Sequence, residues 1–227
     1  MGERHIFVRL SGCSLGCEYC DTSYSLGDAD RAYIEEGAGK PSSPLKNPLS
    51  SRTVIDAVLA QEIFPGFNSK LSITGGEPLE QPEFLRGLLE ELEGRFGILL
   101  ETNGILAEAL SETVDLIDII SMDFKIPSTA GKGELWERHS DFLDAAKGKE
   151  LIAKVVVSSG TRTEEVETAA KILAKSAPDA LLVIQPVVLA ARSGPSPEML
   201  FEFYSSARQV LKNVRVIPQV HKILGVR

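Results

Sequence analysis

Lys70-Leu-Ser-Ile-Thr-Gly-Gly-Glu-Pro78 is an apolar run that breaks into two glycines, a carboxylate and a proline. The first five residues read as a short buried strand, and the break marks its carboxyl end. After it, Gln81–Gly94 places Phe84, Leu85, Leu88, Leu89 and Leu92 at the i, i+3, i+4 spacing of one helix face. Gly97–Thr102 then returns to a strand pattern. Strand, helix, strand is a βαβ unit, which implies a parallel pair joined by a right-handed crossover.

The same alternation extends both ways. Further strands are expected at His5–Leu10, Leu116–Met122, Leu151–Ser158, Ala180–Val187 and Val214–Val220. Helices are expected at about Arg52–Ile63 with Ser51 as N-cap and at Gly133–Lys147. Another should span Arg162–Lys175 behind a Thr161/Glu164 capping box, and a last one Pro197–Lys212 behind Ser196. The predicted class is α/β with about six to seven mainly parallel strands. Periodicity alone allows a partial (β/α) barrel or an open doubly wound sheet. In both, function belongs at the carboxyl ends of the strands. Ser25–Ser51, rich in Gly, Pro and Ser, reads as a loop insertion inside a single domain spanning 1–227.

The chain has 227 residues, a net charge of −8 and three cysteines. An acidic balance argues against a broad nucleic-acid surface, and no apolar run is long enough to span a bilayer. The cysteines lie together, in Cys13-Ser-Leu-Gly-Cys17-Glu-Tyr-Cys20, with C-x3-C-x2-C spacing. Three thiolates on a [4Fe–4S] cluster leave one iron without a protein ligand and so able to bind a small molecule. Zinc would need a fourth ligand. His5, His139 and His221 all lie outside the triad. Clustered thiols without an export signal suggest a reducing cytoplasm.

Cys13–Cys20 together with Gly75-Gly76-Glu77-Pro78 resembles the radical S-adenosylmethionine (SAM) superfamily. Phe7-Val-Arg-Leu-Ser-Gly-Cys13, Cys20-Asp-Thr22, Glu101-Thr-Asn-Gly104, Gln185-Pro186 and Gln219-Val-His-Lys-Ile-Leu-Gly225 are similar to the 7-carboxy-7-deazaguanine synthase family. The resemblance implies a partial barrel of the radical SAM type. It implies a [4Fe–4S] cluster on Cys13, Cys17 and Cys20, with one-electron cleavage of SAM to a 5′-deoxyadenosyl radical. Gly75, Gly76 and Glu77 would hold the methionyl amino group, and Tyr19 would lie near the adenine. Asn103, Ser121, Lys125 and Gln185 would also contact SAM. Thr22 would ligate Mg²⁺, a hard cation that takes oxygen donors. Arg9, Gly75, His221 and Arg227 would face the substrate, 6-carboxy-5,6,7,8-tetrahydropterin.

No catalytic side chain beyond the cofactor ligands is implied. The implied product lies on the route to queuosine. The expected setting is a cytoplasmic homodimer reduced by an external one-electron donor such as flavodoxin, with no nucleic-acid or membrane partner. Two departures stand out. Family members usually carry Gln-Gly-Glu ahead of the first strand, where this chain has Met1-Gly-Glu-Arg4, so either the start is truncated or those substrate contacts are lost. Ser121-Met-Asp-Phe-Lys125 differs from the Ser-Pro-Lys form and is similar to the Asp-x-Lys strand of glycyl-radical activating enzymes. That activity is the rival enzyme reading; a zinc-binding structural module is the rival outside catalysis.

Overall fold

The computed structural model describes residues 4–27, 29–35, 43–62, 70–187, 194–220 and 222. Seven strands form one parallel sheet: β1 (His5–Leu10), β4 (Lys70–Gly75), β5 (Gly97–Thr102), β6 (Ile119–Phe124), β7 (Glu150–Val157), β8 (Leu181–Pro186) and β9 (Val214–Val216). Their spatial order is β1-β4-β5-β6-β7-β8-β9. A doubly wound sheet reverses its order at a switch point, which sends helices to both faces. Here the order never reverses, so right-handed crossovers lay successive helices on the same face, as in a barrel. Among the described residues β1 and β9 each pair with one neighbour, so the barrel they form is partial and open between them.

Side-chain alternation sorts each strand into a helix-facing and an open side. Ile6, Leu71, Ile73, Leu100, Ile120, Met122, Val155 and Ile184 join the core beneath α1 (Ser51–Ala60), α2 (Pro82–Leu92), α5 (Trp136–Ala145), α6 (Thr163–Ser176) and α7 (Pro197–Arg208). Leu85, Leu88, Leu89 and Leu92 of α2 are buried, as their spacing predicts. The other side carries Arg9, Thr74, Glu101, Ser121, Asp123, Lys154 and Gln185, an unusually polar row for central strands. Register aligns them: Arg9 with Thr74, Glu101 with Ser121, Asp123 with Lys154.

Local boundaries differ from expectation in several places: α5 starts at Trp136 rather than Gly133, α7 ends at Arg208 rather than Lys212, and β9 ends at Val216 rather than Val220. Ser50, not Ser51, caps α1, its side chain accepting from the Thr53 N–H at 3.2 Å. At α6 the reciprocal carboxylate is Glu165, which accepts from the Arg162 N–H at 3.0 Å, while the Thr161 hydroxyl accepts from Ser158 N. Leu116 closes a short 3-10 turn, and β6 begins three residues later at Ile119. Within Ser25–Ser51 the chain makes a small antiparallel pair, β2 (Arg31–Ala32) with β3 (Leu45–Lys46). Two short helices, α3 (Ala107–Ser111) and α4 (Pro127–Ala130), follow β5 and β6.

Candidate active site

The cysteine loop leaves the end of β1 and lies over the ends of β4 and β6. Gly12 (φ 96°) and Gly16 (φ 54°) take left-handed turns inside it. The loop is tied down from several sides. Gly12 N donates to Ser25 O at 2.8 Å, Cys13 N to Leu26 O at 3.0 Å and Glu18 N to Ala130 O at 3.2 Å. Ser14 donates to Glu80 through both its N–H and its hydroxyl, and Gln81 donates to Ser11 O. Cys13, Cys17 and Cys20 are free, half-buried thiols, and burial pushes the Cys17 thiol up from its ordinary value. Among the described residues no three His, Cys, Asp or Glu side chains gather around one metal-ion position. A four-iron cluster takes each thiolate on a separate iron, so three spaced thiols on a fixed loop suit it. Thr22 Oγ1 sits 3.7 Å from Cys20 Sγ.

The glycine pair after β4 is pressed against this loop. Gly75 has φ 129°, and a Cβ on it would sit 2.0 Å from Leu10 O. A Cβ on Gly76 would sit 2.0 Å from Gly12 O. Gly76 N donates to Leu10 O, and Glu77 N to Gly12 O at 2.7 Å. What approaches the two glycines is therefore the chain's own backbone, which docks β4 on the cysteine loop.

Glu77 is fully buried. Its carboxylate accepts from Leu79 N at 3.1 Å, Thr102 Oγ1 at 2.8 Å and Asn103 N at 2.7 Å. It thus fastens the end of β4 to the end of β5, and burial raises its pKa. Asn103 Oδ1 accepts from Ile105 N, while its Nδ2 is buried without a partner among the described residues.

At the end of β6, Lys125 Nζ donates to Asp123 Oδ2 at 2.7 Å and to Tyr19 Oη at 2.9 Å, and the Tyr19 hydroxyl donates to Asp123 at 3.4 Å. Lys125 also lies over the Tyr19 ring. Lys154, from β7, approaches the same Asp123 oxygen at 3.6 Å. Burial opposes charge on both partners, but the flanking lysines hold Asp123 ionised and below its usual range, and Asp123 drives Lys125 well above its own. Tyr19 is pushed far up by burial. Among the described residues, Asp123 Oδ1 is the second buried polar side-chain atom without a partner. Buried polar groups are normally paired, so these two atoms, at the ends of adjacent strands, suit a ligand carrying both donors and acceptors.

Tyr19, Gly75, Gly76, Glu77, Asn103, Lys125 and the three cysteines thus converge at the carboxyl ends of β1, β4, β5 and β6. Arg9, Ser121 and Gln185 lie on the open face of β1, β6 and β8. His221 and Arg227 lie outside the described residues. Three groups at the site are not evident from the sequence pattern. Lys154 is one, although a single charge in the apolar run Leu151–Ser158 is a signal that it leaves the core. Asp123 is marked in sequence only as the acid of the Asp-x-Lys strand, with no sign of the ion pairs it makes. His139 carries no sequence signal at all. Fully buried, its Nδ1 lies 2.8 Å from Gly104 O, and its Nε2 accepts from Lys125 N at 3.0 Å.

Comparison with known proteins agrees with this geometry. The model for the radical SAM superfamily matches residues 7–175. A 7-carboxy-7-deazaguanine synthase of Geobacter sulfurreducens is 38% identical over 99% of this chain and 91% of its own length. One from Methanopyrus kandleri is 34% identical over 99% of this chain and 87% of its own. A radical SAM methyltransferase structure from Sphaerobacter thermophilus, 17% identical, has a TM-score of 0.62 over 93% of this chain and 66% of its own, which bears on the fold alone. By the superfamily match over most of its length, and by these identities over nearly all of it, the chain belongs to the radical SAM superfamily and within it to the 7-carboxy-7-deazaguanine synthase family.

Proposed function

We propose that the chain converts 6-carboxy-5,6,7,8-tetrahydropterin to 7-carboxy-7-deazaguanine with loss of ammonia, a step of queuosine and related 7-deazapurine biosynthesis. The observation that carries this reading is the 38% identity to a synthase of that name over 99% of the chain. When bound, the cluster and SAM supply a one-electron reduction and the group that abstracts hydrogen from C6 of the pterin.

The chain's own residues bind and orient. Cys13, Cys17 and Cys20 hold the cluster, and Gly75 and Gly76 dock the strand end that faces it. Glu77 keeps Asn103 in place, so that Asn103, Ser121, Lys125, Gln185 and Tyr19 frame SAM. Lys125, kept charged by Asp123, attracts a carboxylate. Thr22 offers an oxygen to Mg²⁺, which templates the pterin. Arg9, Gly75, His221 and Arg227 meet the pterin, the Arg9 fork suiting its planar acid.

We read 1–227 as one domain of a cytoplasmic homodimer that draws electrons from a donor such as flavodoxin. Among the described residues no helix is long and apolar enough to cross a membrane. The deciding experiment is anaerobic turnover of reconstituted protein with 6-carboxytetrahydropterin, SAM, Mg²⁺ and dithionite, read by product mass. Deoxyadenosine together with 7-carboxy-7-deazaguanine is expected. A loaded cluster that cleaves SAM but forms no deazapurine would overturn the substrate assignment. One tightly held zinc without sulfide would overturn the cluster.

A further inference from the structure

Among the described residues β1 and β9 are the two edges of the sheet, and the loop after β1 meets the segment after β9. Gln219 Nε2 donates to Asp21 Oδ2 at 3.1 Å, across a separation of 198 residues. Gln219 follows β9 and is 3% exposed. Ile217 N donates to Ile184 O at 3.0 Å, and Lys222 N to Gln219 O, so the segment that carries Gln219 is itself anchored to β8. Asp21 is exposed and stands between Cys20 and Thr22, the two residues that bring the cluster ligands and the proposed Mg²⁺ ligand onto one loop.

We infer that Gln219 is a positioning residue: its amide holds the Asp21–Thr22 segment against the β8–β9 side of the barrel, in the place where Thr22 meets the cation and the pterin. The inference rests on the proposed function for what Thr22 binds, but not for the tie itself. The opposite side of the cysteine loop is already fixed by Glu80, Gln81 and Ala130. Gln219 supplies a tie from the far edge of the sheet. A charged hydrogen bond at a buried amide is strong enough to decide where a short loop rests.

The test uses the full-length, reconstituted protein and an exchange of partners. Gln219→Glu removes the donor and sets two carboxylates face to face. In the Asp21→Asn/Gln219→Glu double variant, amide and carboxylate change places and the bond can re-form. Amide hydrogen exchange across Asp21–Leu26 should quicken in Gln219→Glu and slow again in the double variant. The apparent KM for the pterin should rise roughly ten- to hundredfold in the single variant, as expected for a lost hydrogen bond to a charged group. Iron content should stay at the wild-type level, and most of the KM should be recovered in the double variant. Unchanged exchange, an unchanged KM, loss of iron in step with stability, or no recovery by the exchange of partners would each overturn the inference. A wild type that forms no deazapurine would fail the proposed function separately, and the exchange measurement would still decide whether Gln219 holds the loop.

Discussion

At the scale of single residues, the most consequential group is one that sequence could not flag. A histidine in Gly133–Lys147 looks like any helix residue, and nothing near it suggests a site. Folding buries His139 between Gly104 O and Lys125 N, edge-on to Phe124, which ties the loop after β5 to the end of β6. Burial pushes its pKa down from 6.5 to about 4. The folded state therefore keeps the ring neutral, while the unfolded chain takes up a proton as pH falls through 6.5. Stability from this residue is present above pH 6.5 and drains away between there and about pH 4. The loss over that window should be about 3 kcal/mol, because each tenfold difference in proton affinity between the folded and unfolded chain is worth about 1.4 kcal/mol. Urea unfolding at pH 7 and pH 4.5 should show most of it in the wild type, with a flatter profile in His139→Gln. Equal profiles would mean that the ring is protonated in the fold. Glu77 teaches the converse. Its carboxylate was legible as a feature of the strand end, but its internal donors were not, because two of the three come from the end of a neighbouring strand. Side-chain pairing across a parallel sheet depends on register, which a local pattern does not encode.

At the scale of elements, what sequence made legible was local periodicity. β1 and β5 have the bounds that their patterns predict, and Leu85, Leu88, Leu89 and Leu92 of the α2 stripe are buried as spaced. Barrel or open sheet was not legible, since the choice lies in the order of strands, a long-range property. The Gly75-Gly76 pair shows how one element controls another. Any side chain at Gly76 meets backbone atoms of Gly12 and Ser25, which cannot rotate away as a side chain would. Gly76→Ala should therefore displace Gly12 and its neighbour Cys13. The expected outcome is a lower melting temperature together with poor iron retention after anaerobic reconstitution. Gly87→Ala is the control, because a Cβ there meets nothing within 4 Å on α2. It should stabilise by up to about 1 kcal/mol through helix propensity and leave iron loading unchanged. Matching behaviour of the two variants would remove the argument that the glycines dock the cysteine loop.

At the scale of the molecule, four strand ends from different parts of the chain build one site. Leu10, Gly75, Asn103 and Lys125 are far apart in sequence but lie at the ends of adjacent strands of one sheet. A ligand that bridges them stabilises the assembly rather than one loop. Two buried polar atoms there, Asn103 Nδ2 and Asp123 Oδ1, lack partners among the described residues, so a ligand with both donors and acceptors gains bonds whose desolvation folding has already borne. SAM at about a hundred times its Kd should stabilise the cluster-loaded protein by about 2.7 kcal/mol through linkage alone. For a chain of this size, that corresponds to a rise in melting temperature of roughly 5–10 °C. The stabilisation should be local in origin. Amide exchange should slow at Leu10–Cys13, Gly75–Glu77, Asn103–Gly104 and Phe124–Lys125, while Val214–Val216 at the far edge of the sheet should change little. Methionine alone offers the amino and carboxylate groups without the nucleoside and should give a smaller rise. A rise in melting temperature with protection spread evenly over all seven strands would place the binding elsewhere. No rise at saturating SAM would mean that the convergent strand ends are a packing feature and not a binding site.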